Sequence, residues 1–124
     1  MSSEVGLQFA KALAAKDRQM LLDVLSPEVD FRALTPRKPW ESGSAVEVVD
    51  QIILGTWFDA GDDIRSLDDV EVGSFADREK LRYQVRVTNA DGDWVVEQEA
   101  YYTLDGDRIG WLRVLCSGYC PFDA

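Results

Sequence analysis

The chain is 124 residues long with a formal net charge of −10 from 13 basic and 23 acidic residues, and it contains no histidine. One domain with a single core fits that length, and the acidic balance excludes a DNA- or RNA-binding surface, which relies on clustered Lys and Arg. The missing imidazole removes Ser-His-Asp and Cys-His nucleophile systems and the usual zinc sites, so any acid–base chemistry must fall to Asp, Glu, Tyr, Lys or Cys.

Apolar residues make up 46% of the chain and charged residues 29%, the balance of an ordinary globular protein. No apolar run approaches the roughly 20 residues that cross a bilayer. The start Met1-Ser2-Ser3-Glu4 carries no basic region leading into an apolar core, so a cytoplasmic location without membrane association is expected. Cys116 and Cys120 form a lone Cys-x3-Cys. Without other soft ligands this is a weak metal signal, and in a reducing compartment both read as free thiols. Neither a metal nor another cofactor is expected.

In chain order, Val5, Phe9 and Leu13 recur at helical spacing and predict an amphipathic helix over residues 4–15. Asp17 is placed to cap a second, short helix carrying Met20, Leu21, Val24 and Leu25, which Ser26-Pro27 should stop. Val29 to Leu34 alternates as a strand, and residues 35–43, with Pro36, Pro39, Trp40 and Gly43, read as an irregular loop. Ser44 and Glu47 form a capping box ahead of a third helix whose buried stripe should be Val46, Val49, Ile53 and Trp57. Its exit falls at Gly61 among Asp59, Asp62 and Asp63. These acids lack the alternate spacing of a calcium loop. Ile64 to Ser74 reads as a less regular strand.

Leu81 to Cys116 organises the rest: three antiparallel strands joined by two tight turns. Asn89-Ala90-Asp91-Gly92-Asp93 suits a three-residue loop with Gly92 left-handed, pairing Val87 with Val95 and Tyr83 with Glu99. Asp105-Gly106 suits a two-residue hairpin that sets Glu99 opposite Leu112. One face would then carry Tyr83, Val85, Glu97, Glu99, Tyr101, Leu112, Val114 and Cys116 under the helices, leaving Trp94, Tyr102, Trp111 and Arg113 outside as a homodimer face. A bulge in the central strand would swap part of this assignment.

A carboxylate under the helices must be paired, hydrogen-bonded or protonated. Glu99 with Tyr83 across from it could be an acid–base pair in an apolar pocket. Equally, it could be a strand-end group in solvent or a partner of Arg32. The candidate contacts for a small, largely apolar ligand between helices and sheet are Phe9, Arg32, Trp40, Trp57, Phe58, Tyr101, Leu112 and Cys116.

Three stretches carry a resemblance over nearly the whole chain: Phe9 to Asp17 leading into the second helix, Val29-Asp30-Phe31-Arg32, and Asp105 to Val114. With them the chain resembles the nuclear transport factor 2-like (NTF2-like) superfamily, including its SnoaL-like and ketosteroid isomerase-like members. The resemblance implies an α+β cone, three helices packed on a strongly curved sheet, and a repertoire of isomerases, cyclases, dehydratases, hydrolases and non-catalytic binding modules. Ketosteroid isomerase-like members use a helix tyrosine, a strand aspartate base and a second, protonated aspartate. Phe9, Ala33 and Glu99 stand at those places, so two of the three groups are missing. Scytalone dehydratase-like chemistry needs histidines and is excluded.

Overall fold

The computed structural model describes residues 2–122. Helix α1 (Ser2–Ala14) and helix α2 (Arg18–Val24) precede strands β1 (Leu25–Thr35) and β2 (Lys38–Ser42). A single α-helical turn, α3 (Ala45–Glu47), runs into a π-helical segment, Val48–Trp57. Strands β3 (Asp63–Phe75), β4 (Arg78–Asn89), β5 (Gly92–Asp105), β6 (Arg108–Cys116) and the short β7 (Cys120–Pro121) complete the chain. The strands form one mixed sheet in the order β2-β1-β6-β5-β4-β3, with β7 also pairing β5 and β1 parallel to β6. The helices cover one face, giving the α+β cone. No described helix is long and apolar enough to cross a membrane.

Local signals account for the helix starts. Asp17 accepts a 3.1 Å bond from the Met20 amide, satisfying one of the free donors of α2. Ser44 accepts from Glu47 N at 3.3 Å. The reciprocal half of the expected capping box is replaced, because the Ser44 amide donates to Ser42 Oγ. After Glu47 the helix widens, and Thr56 Oγ1 bonding Gln51 O follows the i→i−5 spacing. That winding moves the buried stripe to Val48, Val49, Ile52, Ile53 and Trp57 and leaves Val46 53% exposed.

Two other expectations change. Helix α2 ends at Val24 with Leu25 as an extended C-cap, just ahead of Ser26-Pro27 as expected, but the pair then lies inside β1, where the pairing with β6 shifts between Leu25 and Asp30. The 35–43 loop is a hairpin, with Thr35 paired to Lys38 across Pro36-Arg37. Proline at the first central position suits such a turn, and Pro39 is tolerated because β2 is an edge strand.

The central ribbon has the expected strands in a different register. Asn89 pairs directly with Gly92, closing a two-residue loop, so Val87 faces Trp94, Val85 faces Val96 and Tyr83 faces Gln98. Asn89 Oδ1 holds the turn by accepting from the Asp91 amide and from Trp94 Nε1, both at 2.9 Å. The second hairpin closes at Asp105–Arg108, and the register then shifts at Gly110, so Tyr102 faces Leu112 and Gln98 faces Cys116. A side chain added at Gly110 would meet Asp105 Cβ at 2.7 Å.

Strand β4, and β6 from Gly110 onward, keep their expected faces; Ile109, expected outside, is carried inward by the shift at Gly110, and β5 is turned over. Val96, Gln98, Ala100 and Tyr102 are buried with Leu81, Tyr83, Val85, Val87, Leu112 and Val114. Glu97, Glu99 and Tyr101 lie on the opposite face. A one-residue change of register exchanges the faces of a whole strand.

Candidate functional site

The inner face of the sheet carries one buried polar chain. Tyr83 is 0% and Gln98 1% exposed. Tyr83 donates to Gln98 Oε1 at 2.5 Å, and Gln98 Nε2 donates to Cys116 Sγ at 3.4 Å. Burial pushes the Tyr83 phenol far above its usual range, with the nearby Cys116 adding to the rise. Tyr83 and Gln98 each have a hydrogen-bond partner within this chain. Phe9, Phe58 and Leu112 are equally closed in, at 1% exposure or less. These residues are packed core.

Glu99 corrects the expected acid–base pair. It accepts 2.8 Å from Tyr101 Oη and sits 3.2 Å from Lys80 Nζ on the outer face, on the far side of the sheet from Tyr83. The hydrogen bond from Tyr101, then the bond and charge of Lys80, hold its carboxyl below the usual range, and the same bond holds the Tyr101 phenol above its own. The shift is opposite to that of a protonated acid in an apolar pocket. Hydrogen bonds to the ionised form favour that form. Glu99 therefore stabilises the fold above the unfolded carboxylate pKa, and this contribution fades as pH falls through its lower folded value. Glu99→Gln should cost no more than about 1 kcal/mol at neutral pH, the scale of a half-exposed pair, and that cost should vanish in acid. Urea titrations at two pH values measure both.

At one end of the inner face, Trp57 packs against Phe31 and edge-on to Trp40, with centroids 6.0 and 6.2 Å apart. Among the described residues the buried Trp57 Nε1 has no hydrogen-bond partner. Tyr119 closes this end, donating to Trp57 O at 2.6 Å and packing on Phe58 and Trp94. Tyr102 is buried and Trp94 half-buried on this inner side, so neither belongs to the outer face, where Trp111 and Arg113 remain. Cys116 and Cys120 pair with Gln98 and Val95 of β5. That separates them by about 10 Å along the strand, on opposite faces, beyond the reach of a disulfide. Among the described residues no group of three or more Cys, Asp or Glu is placed to hold a metal.

The outer face is built of transverse rows. Glu41, Arg32, Arg113, Tyr101 and Lys80 line up across β2, β1, β6, β5 and β4, and Pro39, Leu34, Leu115, Glu99, Arg82 and Glu71 form the next row. Leu34 is 55% and Leu115 50% exposed. Around them lies a cleft of about 460 Å³ whose lining includes Arg32, Leu34, Trp40, Tyr101, Arg113 and Leu115. Of the expected ligand contacts, the fold brings Arg32 and Tyr101 together here, puts Trp40 at the cleft's edge with its ring turned to the helix side beside Trp57, and places Phe9, Trp57, Phe58 and Leu112 in the core. Beyond Tyr101 a second hollow of about 380 Å³ is lined by Phe75, Arg78, Trp111 and Arg113. Arg78 and Arg113 lie over the Trp111 ring at 4.1 and 4.3 Å.

No family model matches the sequence, and no curated protein matches it. Solved structures do match over nearly its whole length. A proposed isomerase from Rhodopseudomonas palustris shares 17% identity, covering 95% of this chain and 93% of that one, at a TM-score of 0.69. An NTF2-like protein from Burkholderia thailandensis shares 16%, with 93% and 89% covered and a TM-score of 0.67. An LEH-like epoxide hydrolase of M. tuberculosis shares 10%, with 93% and 81% covered and a TM-score of 0.65. The chain has the NTF2-like fold.

Proposed function

We propose that this protein is a non-catalytic binding module whose working surface is the outer face of the sheet, with the cleft over β2, β1 and β6 holding a small, largely apolar ligand. The observation that carries this reading is the turned-over β5. It replaces an inner carboxylate by Gln98, which cannot exchange a proton, and leaves Glu99 ionised and paired outside. The neighbours named isomerase and epoxide hydrolase share the fold, and fold alone does not transfer chemistry. The cleft fits the ligand reading in size and in its apolar lining.

Titration with 2-naphthamide, a neutral aromatic probe, tests the site. Binding should weaken at least about tenfold, or about 1.4 kcal/mol, in Leu115→Asp and stay unchanged in Glu99→Gln. Unaltered binding in Leu115→Asp would remove the cleft from the reading. Turnover of a cyclic ketone, lactone or epoxide that is lost in Glu99→Gln would restore the enzyme reading.

A second reading concerns assembly, and it rests on Phe75, 65% exposed at the end of β3 and edge-on to Tyr101. With Trp111, Arg78 and Arg113 it forms an aromatic and arginine patch of the kind enriched at interface centres. We propose that this end of the outer face pairs with a second copy of the chain.

A further inference from the structure

The ligand class follows from the charges at the rim, and it rests on the cleft being the binding site. Within a chain of net charge −10, the cleft is lined by two cations, Arg32 and Arg113, and one anion, Glu41; Asp30 and Lys38 stand next to these on β1 and β2, and Glu99 beside Leu115 is held by Tyr101 and Lys80. Arg113 is committed, donating to Asp30 O at 2.8 Å and lying 3.2 Å from Asp30 Oδ1 while its guanidinium covers Trp111. Lys38 Nζ lies 4.0 Å over the Trp40 ring. Arg32 differs. Its ion pair is a 3.7 Å approach to Glu41 Oε2, with side chains 63% and 75% exposed, too long for a hydrogen bond.

Arg32 and Arg113 are direct neighbours on parallel strands, with backbones about 4.8 Å apart, so each raises the positive potential at the other. Leu34 and Leu115 are the next pair along the same two strands and supply an apolar floor beside the charge. A guanidinium offers five donors in a planar fork that matches a carboxylate in two-point contact. We infer that the cleft takes an amphipathic organic monoanion, an aromatic or branched-alkyl carboxylate, with the body on Leu34, Leu115 and Tyr101 and the carboxylate on Arg32.

Calorimetric titration of 2-naphthoate beside 2-naphthamide tests this. Wild type should bind the carboxylate at least about tenfold tighter than the amide at 0.15 M salt, where the screening length is about 8 Å. Arg32→Gln should abolish that difference, and Arg32→Lys should restore part of it as a point charge without the fork. Equal affinity for both probes in wild type, or a carboxylate preference that survives Arg32→Gln, would overturn the charge assignment while leaving the apolar cleft standing. Binding of neither probe at millimolar concentration would overturn the cleft and this inference with it. Arg32 is exposed, so matching melting temperatures across the variants are expected, and they establish that the fold is intact.

Discussion

Gln98→Glu is expected to destabilise the protein at pH 8 and to leave it nearly unchanged at pH 4. The substitution is isosteric and restores the carboxylate that the inner face lacks. In its protonated form the new side chain can still accept from Tyr83 and can donate to Cys116, as the amide does. In its ionised form it is enclosed by Tyr83, Val96, Ala100, Val114 and Cys116, none of which supplies a cation. Burial of this kind raises a carboxyl pKa by up to about 3–5 units. A raised folded-state pKa means that the native state holds its proton longer than the unfolded chain. Stability therefore falls with rising pH between the two values, at about 1.4 kcal/mol per pH unit. The loss relative to wild type should be small at pH 4 and about 3–4 kcal/mol at pH 8. Urea unfolding at both pH values measures it, and an equal loss at the two would mean that position 98 is not closed off as described.

Phe75→Asp is expected to convert a dimer into a monomer. A central aromatic anchor is worth about 2–4 kcal/mol of association free energy, which weakens the dimer by about 30- to 1,000-fold. Phe75 is largely exposed in the protomer, so the variant's own melting temperature should barely move. Sedimentation equilibrium at micromolar concentration gives the answer. Wild-type protein that sediments as a monomer there would end the pairing reading.

The parts of this fold legible in the sequence are those set by neighbouring residues. Asp17 and Ser44 cap helices where their side chains reach amides three residues on. The alternation in β4, and in β6 beyond Gly110, assigns the faces correctly, because each stretch is apolar on one side. β5 was decided instead by the length of its turns. Asn89 to Asp93 suits a three-residue loop with left-handed glycine as well as the two-residue loop that forms. The choice is settled by Asn89 bonding to Trp94, a contact visible only once the strands have met.

One residue of difference there, and the displaced hairpin and extra residue at Gly110 on the other side, carried Glu97 and Glu99 from one face to the other. A signal was present. The set Trp94, Val96, Gln98, Ala100 and Tyr102 is more apolar than Val95, Glu97, Glu99, Tyr101 and Thr103, and two inward glutamates needed compensation for which the expected register offered only Tyr83 and Arg32. The π-helical winding of Val48–Trp57 and the Pro36-Arg37 hairpin left weaker traces. Propensity does not distinguish i→i−5 from i→i−4 bonding, and two prolines in nine residues suggest a loop before they suggest an edge strand. The cleft on the outer face was illegible for a related reason: its lining comes from β1, β2, β5 and β6, whose adjacency is a matter of sheet order.

That ligand binds on the outer face and not beneath the helices is tested most directly by the leucine methyl signals in a carbon–proton correlation spectrum, beside the tryptophan indole signals, during titration with 2-naphthoate. Leu34 and Leu115 floor the outer cleft, whereas Trp57 and Trp94 lie on the inner side of the sheet. The Leu34 and Leu115 methyls should shift saturably while the Trp57 and Trp94 indoles stay in place. Saturable shifts at Trp57 and Trp94 with the two leucines unmoved would put the ligand inside the cone and contradict outer-face binding.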